Sequence, residues 1–520
     1  MPRRGRGTAQ YGWLLAAALI VVGALLAGCG EDEDPTLARR RRRKRWPAPP
    51  PPTEVYRPAP KPSTPVPTVK VPEPSPPPVP EPKAPPPSKA EQVNPLKPFT
   101  FDLPAETRPF PEPLPEGKQP GFKIRGIRGW GWAPEQYLAE IPVLAKYKMN
   151  FLMNCYISLF EYYPRHGVQF PSNKWWVPVP SPKREGFEEV VRACKKHGIE
   201  FCFSMNPQVR STRPLSYDSE KDIDDLWAHY AWMQGLGVKW FSLCVDDIGQ
   251  GDDPHGQAKV VAEILRRLRA TDPGAQMIFC PTHYHGWGTG DAYLATLSLE
   301  LPEDVYVFWT GPQIISLSIP TECAKSYRNA IKRRLIIWDN ICANDAAPVL
   351  HLGPVSRYDA SLCEVADGYI FNPHHPQNEI NRIPMLTCAD YAYNPWAYDP
   401  KRSIGQAILH LADTPGQRQL LKDLVELYPG RTALRGRTHC RSPLINRFYT
   451  VFDEPKGIEE AEAILAQVKG IATRLQAEFP GRYAATLETI QSHISQMQAF
   501  YDRKTGRVPA DRPIPGWPIW

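Results

Sequence analysis

Between Phe122 and Pro373, short and almost uninterrupted apolar runs alternate with longer stretches whose apolar residues recur near every 3.6 positions. The short runs are "FKIRGIRGW" from Phe122, "NFLMNCY" from Asn150, "IEFCFSMNP" from Ile199, "KWFSLCVDD" from Lys239, "QMIFCPTHY" from Gln276, "VYVFWTG" from Val305, "RLIIWDN" from Arg334 and "GYIFNP" from Gly368. Amphipathic segments such as "GFEEVVRACKKHG" and "GQAKVVAEILRRLRA" fall between them. This rhythm predicts an α/β fold, a (β/α)8 barrel over 120–400, whose strands are apolar throughout because both faces are covered. Beyond Tyr398 the pattern becomes purely helical, with breaks near Pro455 and Pro480, so 401–520 reads as a helical C-terminal region. It ends in a surface tail, "RPIPGWPIW".

The start of the chain does not fit any packed domain. Arg3, Arg4 and Arg6 precede the apolar stretch "WLLAAALIVVGALLAG", which runs into Cys29. Leu-Ala-Gly-Cys after such a stretch is the pattern of a bacterial lipoprotein signal over 1–28, cut before a cysteine that is then acylated. A membrane-spanning helix is the competing reading, but the run is short for a span. Both place the remainder outside the cytoplasm, anchored to a bacterial envelope membrane. Residues 29–119 read as a tether and linker. It opens with the acids Glu31–Asp34 and seven consecutive positives, Arg39–Arg45, and continues in proline-dominated sequence. Proline at that density prefers extended polyproline II, which at about 3.1 Å per residue gives a reach of up to ~200 Å.

Charge sharpens the division. Three positives in the signal, four acids and seven positives in the tether leave six of the chain's net +7, so the rest is nearly neutral. A nucleic-acid-binding catalytic domain is therefore excluded, and a membrane-proximal tether to anionic lipid explains the basic run as well as nucleic acid does. Of the 11 cysteines, Cys155, Cys202, Cys244 and Cys280 sit in apolar strand runs. None forms a Cys-x-x-Cys pair, so buried thiols are expected, although export leaves room for one or two disulfides.

Barrel enzymes carry their chemistry at the carboxyl ends of the strands. Here those ends hold Asp246-Asp247, His283-Tyr284, Trp309-Thr310, Asn340 and Asn372. Aromatics and amides gathered around a carboxylate pair suit a sugar ring. Extended neighbours point to opposite sides, so one aspartate should aim into the mouth and the other toward the rim. Their repulsion couples their titration, which suits one for general acid work while the other is charged. Consecutive carboxyls are poorly placed to flank a sugar from both faces, as two-carboxylate glycosidases require. The difficulty disappears if a 2-acetamido carbonyl oxygen on the substrate is the nucleophile.

With "VDDI", "CPTHY", "FWTG", "IIWDN…ND", "LGPV" and "GYIFNP", the chain resembles glycoside hydrolase family 84 over about Ile124–Pro400. That family comprises the O-GlcNAcases and bacterial hyaluronidase-like β-N-acetylglucosaminidases. The resemblance implies that Asp246 orients and polarises the acetamido group, and that Asp247 is the general acid/base. It further implies that Tyr284 contacts the oxazoline and Trp338 walls the acetamido pocket, beside Asn340. Asp345 and Asn372 would hold sugar hydroxyls. Two departures stand out. Where the family commonly has Glu-Gly-Phe-Tyr-Gly, this chain has "RGWGW", leaving Gly129 as the backbone contact. The family's lysine after the second strand has no counterpart among Ile157, Ser158 and Glu161.

Two other functions compete. His283 and His285 have the His-x-His spacing of a metal site, which a metal-dependent hydrolase or deacetylase would use with the aspartates. Trp130, Trp132, Trp175, Trp176 and Trp287 would equally suit a glycan-binding protein that has lost catalysis. The resemblance favours an enzyme without cofactor or metal, acting on β-linked N-acetylglucosamine of a glycan or glycoprotein, and whether it acts at chain ends or internally stays open. The natural glycan stays open.

Overall fold

All eight apolar runs form strands in the computed structural model, which describes residues 99–160, 173–248, 252–343, 350–373, 377–430, 442–509 and 511. The signal, Cys29, the charged tether, most of the proline tract and the closing "RPIPGWPIW" lie outside the described residues. The strands are β1 (Ile124–Gly129), β2 (Phe151–Asn154), β3 (Glu200–Met205), β4 (Trp240–Cys244), β5 (Gln276–Cys280), β6 (Tyr306–Trp309), β7 (Arg334–Asp339) and β8 (Ala366–Phe371). They pair in parallel in chain order, and β8 returns to β1, so the barrel is closed. Cys244 stands opposite Cys280, and Trp338 opposite Ile370.

The two-residue strand period explains why the runs look apolar throughout. Phe203, Phe241, Leu243, Met277, Phe279, Val307, Leu335 and Ile337 pack outward in one core against the helices. The alternate set of Ile124, Phe151, Met153, Cys202, Cys244, Ile278, Cys280, Phe308, Ile336, Trp338 and Ile370 fills the barrel interior. The interior is thus a packed core rather than a channel.

Helices α1 (Pro134–Lys146), α2 (Ser181–Lys196), α3 (Glu220–Gly235), α4 (Pro254–Thr271), α5 (Ala292–Glu300), α6 (Thr321–Ile331), the single turn α7 (Leu362–Val365) and α8 (Asn378–Tyr393) lie between and after the strands. Their starts are written in the sequence. Ser219, Asp253 and Asp291 accept the amides of Asp222, Gly256 and Leu294, capping α3, α4 and α5. Proline then opens α4 directly after its cap.

Helices α9 (Pro400–Leu411), α10 (Pro415–Leu427), α11 (Pro443–Thr450), α12 (Gly457–Glu478) and α13 (Ala484–Lys504) build the predicted helical region around a separate core. One expectation changes here. Residues 99–119, assigned to the linker by composition, pack onto the C-terminal helices and onto the outer helices of the barrel, where Phe110 meets Tyr147. Phe101 is buried in the C-terminal core, and the amides of Arg108 and Glu112 donate to Gln406 and Asp390 at 2.9 and 2.7 Å. Gly405 lies so close to Pro104 that a Cβ would meet its ring at 2.7 Å. Proline density does not exclude ordered packing when the extended backbone finds side-chain acceptors. Among the described residues every cysteine is a thiol, and eight of the nine are buried.

Candidate active site

The inward-facing register of each strand continues past its last hydrogen-bonded residue, and there it becomes polar. Two residues beyond Cys244 comes Asp246, beyond Phe308 comes Thr310, beyond Trp338 comes Asn340 and beyond Ile370 comes Asn372. All four line a cavity of about 140 Å³ at the carboxyl end of the barrel. Cavities of roughly 150 Å³ are large enough to hold one small ring. Asp247, Tyr284, Trp338, Cys280, Arg128 and Trp130 complete most of its wall.

Both aspartates face this cavity, against the expectation that they point to opposite sides. The physical reason is the backbone. Asp247 has φ +58°, in the left-handed region that aspartate tolerates better than most residues. Strand alternation therefore ends at Asp246, and the turn swings the next side chain back over the mouth. Asp246 is buried at 6% exposure, whereas Asp247 is exposed.

Asp246 is held by donors on both oxygens. The Tyr156 hydroxyl donates to Oδ2 at 2.7 Å, and Asn206 Nδ2 donates to Oδ1 at 3.0 Å. The Asn206 amide has only one sensible orientation, because its own Oδ1 accepts from the amides of Gln208 and Val209. Two donors and no acceptor favour a carboxylate. Burial pushes the other way and, with the Asp247 charge, raises Asp246 to about 6, while Arg128 and Tyr156 oppose the rise. Tyr284 donates its hydroxyl to Asp247 Oδ1 at 2.9 Å, and burial, then the Asp247 and Asp246 charges, push the phenol far above its ordinary range. Tyr284 is a donor at every accessible pH.

On the opposite side the Trp338 ring packs edge-on against Phe308, with ring centres 5.0 Å apart. Asn372 Nδ2 donates to Asn340 Oδ1 at 2.8 Å, and Asn340 Nδ2 donates to the Ile314 carbonyl at 3.1 Å. The two amides thus form one fixed unit. Asp345 lies outside the described residues. Gly129 does not line the cavity. Its carbonyl accepts from the Tyr137 hydroxyl at 2.7 Å, and a Cβ there would strike Trp132 at 2.2 Å. It is glycine because Trp132 packs on it, and its neighbours Arg128 and Trp130 reach the cavity instead.

Arg128, Tyr156 and Asn206 escaped the sequence reading. Arg128 and Asn206 were legible by register: Ile124-Gly126-Arg128 and Cys202-Ser204-Asn206 are inward-facing series. Tyr156 follows β2 in a single 3-10 turn, Tyr156–Ser158, and no strand register reaches it.

The His-x-His pair does not converge on the aspartates. His283 places Nδ1 2.8 Å from Asp291 and Nε2 2.9 Å from Asp252. Burial lowers its pKa, but the two carboxylates outweigh burial and raise it overall. His285 is lowered by burial and by His283, and packs edge-on to Tyr284. Among the described residues, the donor atoms that do approach one another, within 4.8 Å, belong to Cys244, Asp246 and Cys280. That set could accept a soft cation, but the guanidinium of Arg128 already faces it, and burial holds the Cys280 thiol well above its usual range. A thiol that keeps its proton beside a fixed cation is a poor ligand.

The model of the β-N-acetylglucosaminidase family matches residues 123–426. The O-GlcNAcases of Rattus norvegicus and Mus musculus are each 26% identical over 285 residues, covering 52% of this chain and 29% of theirs. The chain therefore spans less than a third of the length of these relatives. A mutant of the O-GlcNAc hydrolase of Thermobaculum terrenum superposes with a TM-score of 0.59 at 22% identity. That superposition covers 74% of this chain and 83% of the other, a likeness of fold.

Proposed function

The chain belongs to the β-N-acetylglucosaminidase family of glycoside hydrolases, family 84, and from that premise we propose that it is a retaining β-N-acetylglucosaminidase using its substrate's acetamido group as nucleophile. The observation that carries this is the pair of consecutive aspartates that line one cavity together with Trp338. Carboxyls one residue apart cannot attack and protonate a glycosidic bond from opposite faces. They can serve an internal nucleophile and a leaving group that lie side by side.

In the first step the acetamido carbonyl oxygen bonds to the anomeric carbon as the bond to the leaving oxygen breaks. Asp247 gives that oxygen its proton, and the Asp246 carboxylate accepts the acetamido N–H, stabilising the oxazolinium charge. Tyr284, whose hydroxyl donates to Asp247, is assigned the oxazoline contact and Trp338 the wall of the acetamido pocket by family resemblance. In the second step Asp247 removes a proton from water, the water oxygen bonds to the anomeric carbon, and the acetamide re-forms. Two inversions leave the β configuration. Asn340 and Asn372 present fixed amide groups to the ring hydroxyls, with Asp345 assigned there by family resemblance.

The test is turnover of an aryl β-N-acetylglucosaminide beside the matching aryl β-glucoside. Hydrolysis of the first alone, unaffected by chelator, is expected. Hydrolysis of the plain glucoside, or chelator-sensitive activity, would overturn the mechanism. Sugar binding without turnover would favour a catalytically silent glycan-binding protein. We further propose export and lipid anchoring through Cys29, on the strength of the Leu-Ala-Gly-Cys leader. Cys29→Ser should leave an uncut precursor, and normal maturation of that variant would rule the anchor out.

A further inference from the structure

We propose that His283 is a positioning residue: as an imidazolium bonded to Asp252 and Asp291, it holds the segment after β5 against the connection from β4 to α4, and so keeps the Tyr284 hydroxyl on Asp247. The proposal rests on the reading of Asp247 as the general acid/base.

Three consecutive side chains after β5 reach the residues that follow β4. Thr282 Oγ1 donates to the Val245 carbonyl at 3.2 Å, His283 Nε2 lies 2.9 Å from Asp252 Oδ2, and Tyr284 donates to Asp247 Oδ1 at 2.9 Å. The same segment is fixed from two helices. The Thr282 amide donates to the Tyr293 hydroxyl of α5 at 2.9 Å, and the Tyr327 hydroxyl of α6 donates to the His283 carbonyl at 2.8 Å. The imidazole itself lies against the Tyr293 ring, with centres 4.3 Å apart. Asp247 is where strand alternation breaks, at φ +58°. Its carboxylate is therefore aimed by the Tyr284 hydroxyl rather than by strand register.

The charge on His283 follows from geometry. A neutral imidazole has one N–H and one lone pair, so it can donate to one carboxylate only. With Nδ1 2.8 Å from Asp291 and Nε2 2.9 Å from Asp252, both bonds need both protons. The groups facing the ring are Asp252 from the β4–α4 connection, Asp291 and Tyr293 at the start of α5, and His285 two residues on. Beyond Asp252 stand Asp253, which caps α4, and Tyr217, whose phenol is raised by burial. Burial lowers the His283 pKa, but Asp291 and Asp252 outweigh it and raise it overall, whereas burial and His283 lower His285. Both bonds are thus present below the raised His283 value, and one is lost as pH rises through it. Asp291 is held in place as the cap of α5, where its Oδ1 accepts the Leu294 amide at 3.1 Å. Asp252 is the more exposed carboxylate, 46% against 24%, so its bond is the one given up.

The experiment is kcat/KM against pH for the wild type, Asp252→Ala and His283→Phe, with melting curves for each. Two β-N-acetylglucosaminides are used, one with an alkyl leaving group and one with an acidic phenol. Asp252→Ala removes only the exposed carboxylate, and phenylalanine keeps a ring against Tyr293. On the alkyl glycoside the wild type should exceed Asp252→Ala by about 3- to 10-fold near neutrality, the worth of a half-exposed hydrogen bond between charged groups. That ratio should fall toward one as pH rises into the alkaline range. On the acidic phenol, which needs little protonation, it should stay near one. His283→Phe should show the same leaving-group pattern with at least as large a loss. A ratio of one throughout, a ratio constant in pH, or equal losses on both substrates in a folded variant overturns the proposal. If His283→Phe does not fold, Asp252→Ala decides alone. A wild type inactive on both substrates defeats the assigned reaction instead, so the two failures are distinguishable.

Discussion

The barrel mouth and the C-terminal helices bury the same kind of polar pair. In the mouth the Tyr156 hydroxyl meets Asp246 at 2.7 Å. In the helical core the Tyr428 hydroxyl meets His493 Nδ1 at 2.8 Å, and both rings are buried. The difference is what surrounds them. Tyr428 and His493 sit within an apolar cluster that includes Leu424, Val425, Ile490 and Met497. Tyr156 and Asp246 stand between Arg128, a second carboxylate and an open cavity. A satisfied buried pair is therefore no sign of chemistry in itself. Ionisable groups gathered at an opening are the better sign, because a ligand can reach them.

Four changes would break or sharpen this contrast. The largest effect belongs to Asp247→Asn, which removes the proton donor. Loss of roughly 10²–10⁴-fold is expected on alkyl glycosides, with an acidic phenol as leaving group partly spared. Equal losses on good and poor leaving groups would refute the assignment. Asp246→Asn should cost roughly 10²–10³-fold whatever the leaving group, since it weakens the charge stabilisation of the acetamido nucleophile. A leaving-group series on both variants reads the two roles directly.

Smaller effects follow from the donors. Asp246 must be a carboxylate to accept an N–H, and its pKa is raised to about 6. Activity should therefore be present above that value and fall as pH drops through it, the sign opposite to that of an essential protonated acid. Tyr156→Phe removes one donor to the carboxylate, so kcat/KM should fall by about 10-fold, the worth of one hydrogen bond to a charged group, and the acid limb should rise. Tyr428→Phe is the matched control. It should lower the melting temperature by roughly 2–4 °C and leave the pH profile untouched. A shifted profile in Tyr428→Phe would erase the contrast.

The barrel was legible because each strand carries apolar residues in both registers, and the helix starts because Ser219, Asp253 and Asp291 cap them. The cavity lining was legible where strand register continued to hold, at Asp246, Asn340 and Asn372. The expected alternation failed at Asp247, where a left-handed backbone breaks it, and Gly129 stands off the cavity wall because Trp132 packs on its Cα. The competing metal reading of His283 and His285 rested on spacing alone. Spacing shows where two imidazoles are, but not that Asp252 and Asp291 already occupy both nitrogens of one of them. Residues 99–119 were misassigned because composition reports what a segment cannot bury by itself, not the acceptors that a neighbouring helix offers it.

The central claim is that the nucleophile belongs to the substrate and that Asp246 and Asp247 serve it. It is tested most directly by kcat/KM for aryl glycosides whose N-acyl group is acetyl, fluoroacetyl, difluoroacetyl and trifluoroacetyl. Each fluorine withdraws charge from the acyl oxygen while changing the group's size little. A steep decline across the series is predicted for the wild type, because that oxygen bonds to the anomeric carbon in the first step. A flat series, with all four substrates turned over alike, would contradict the account.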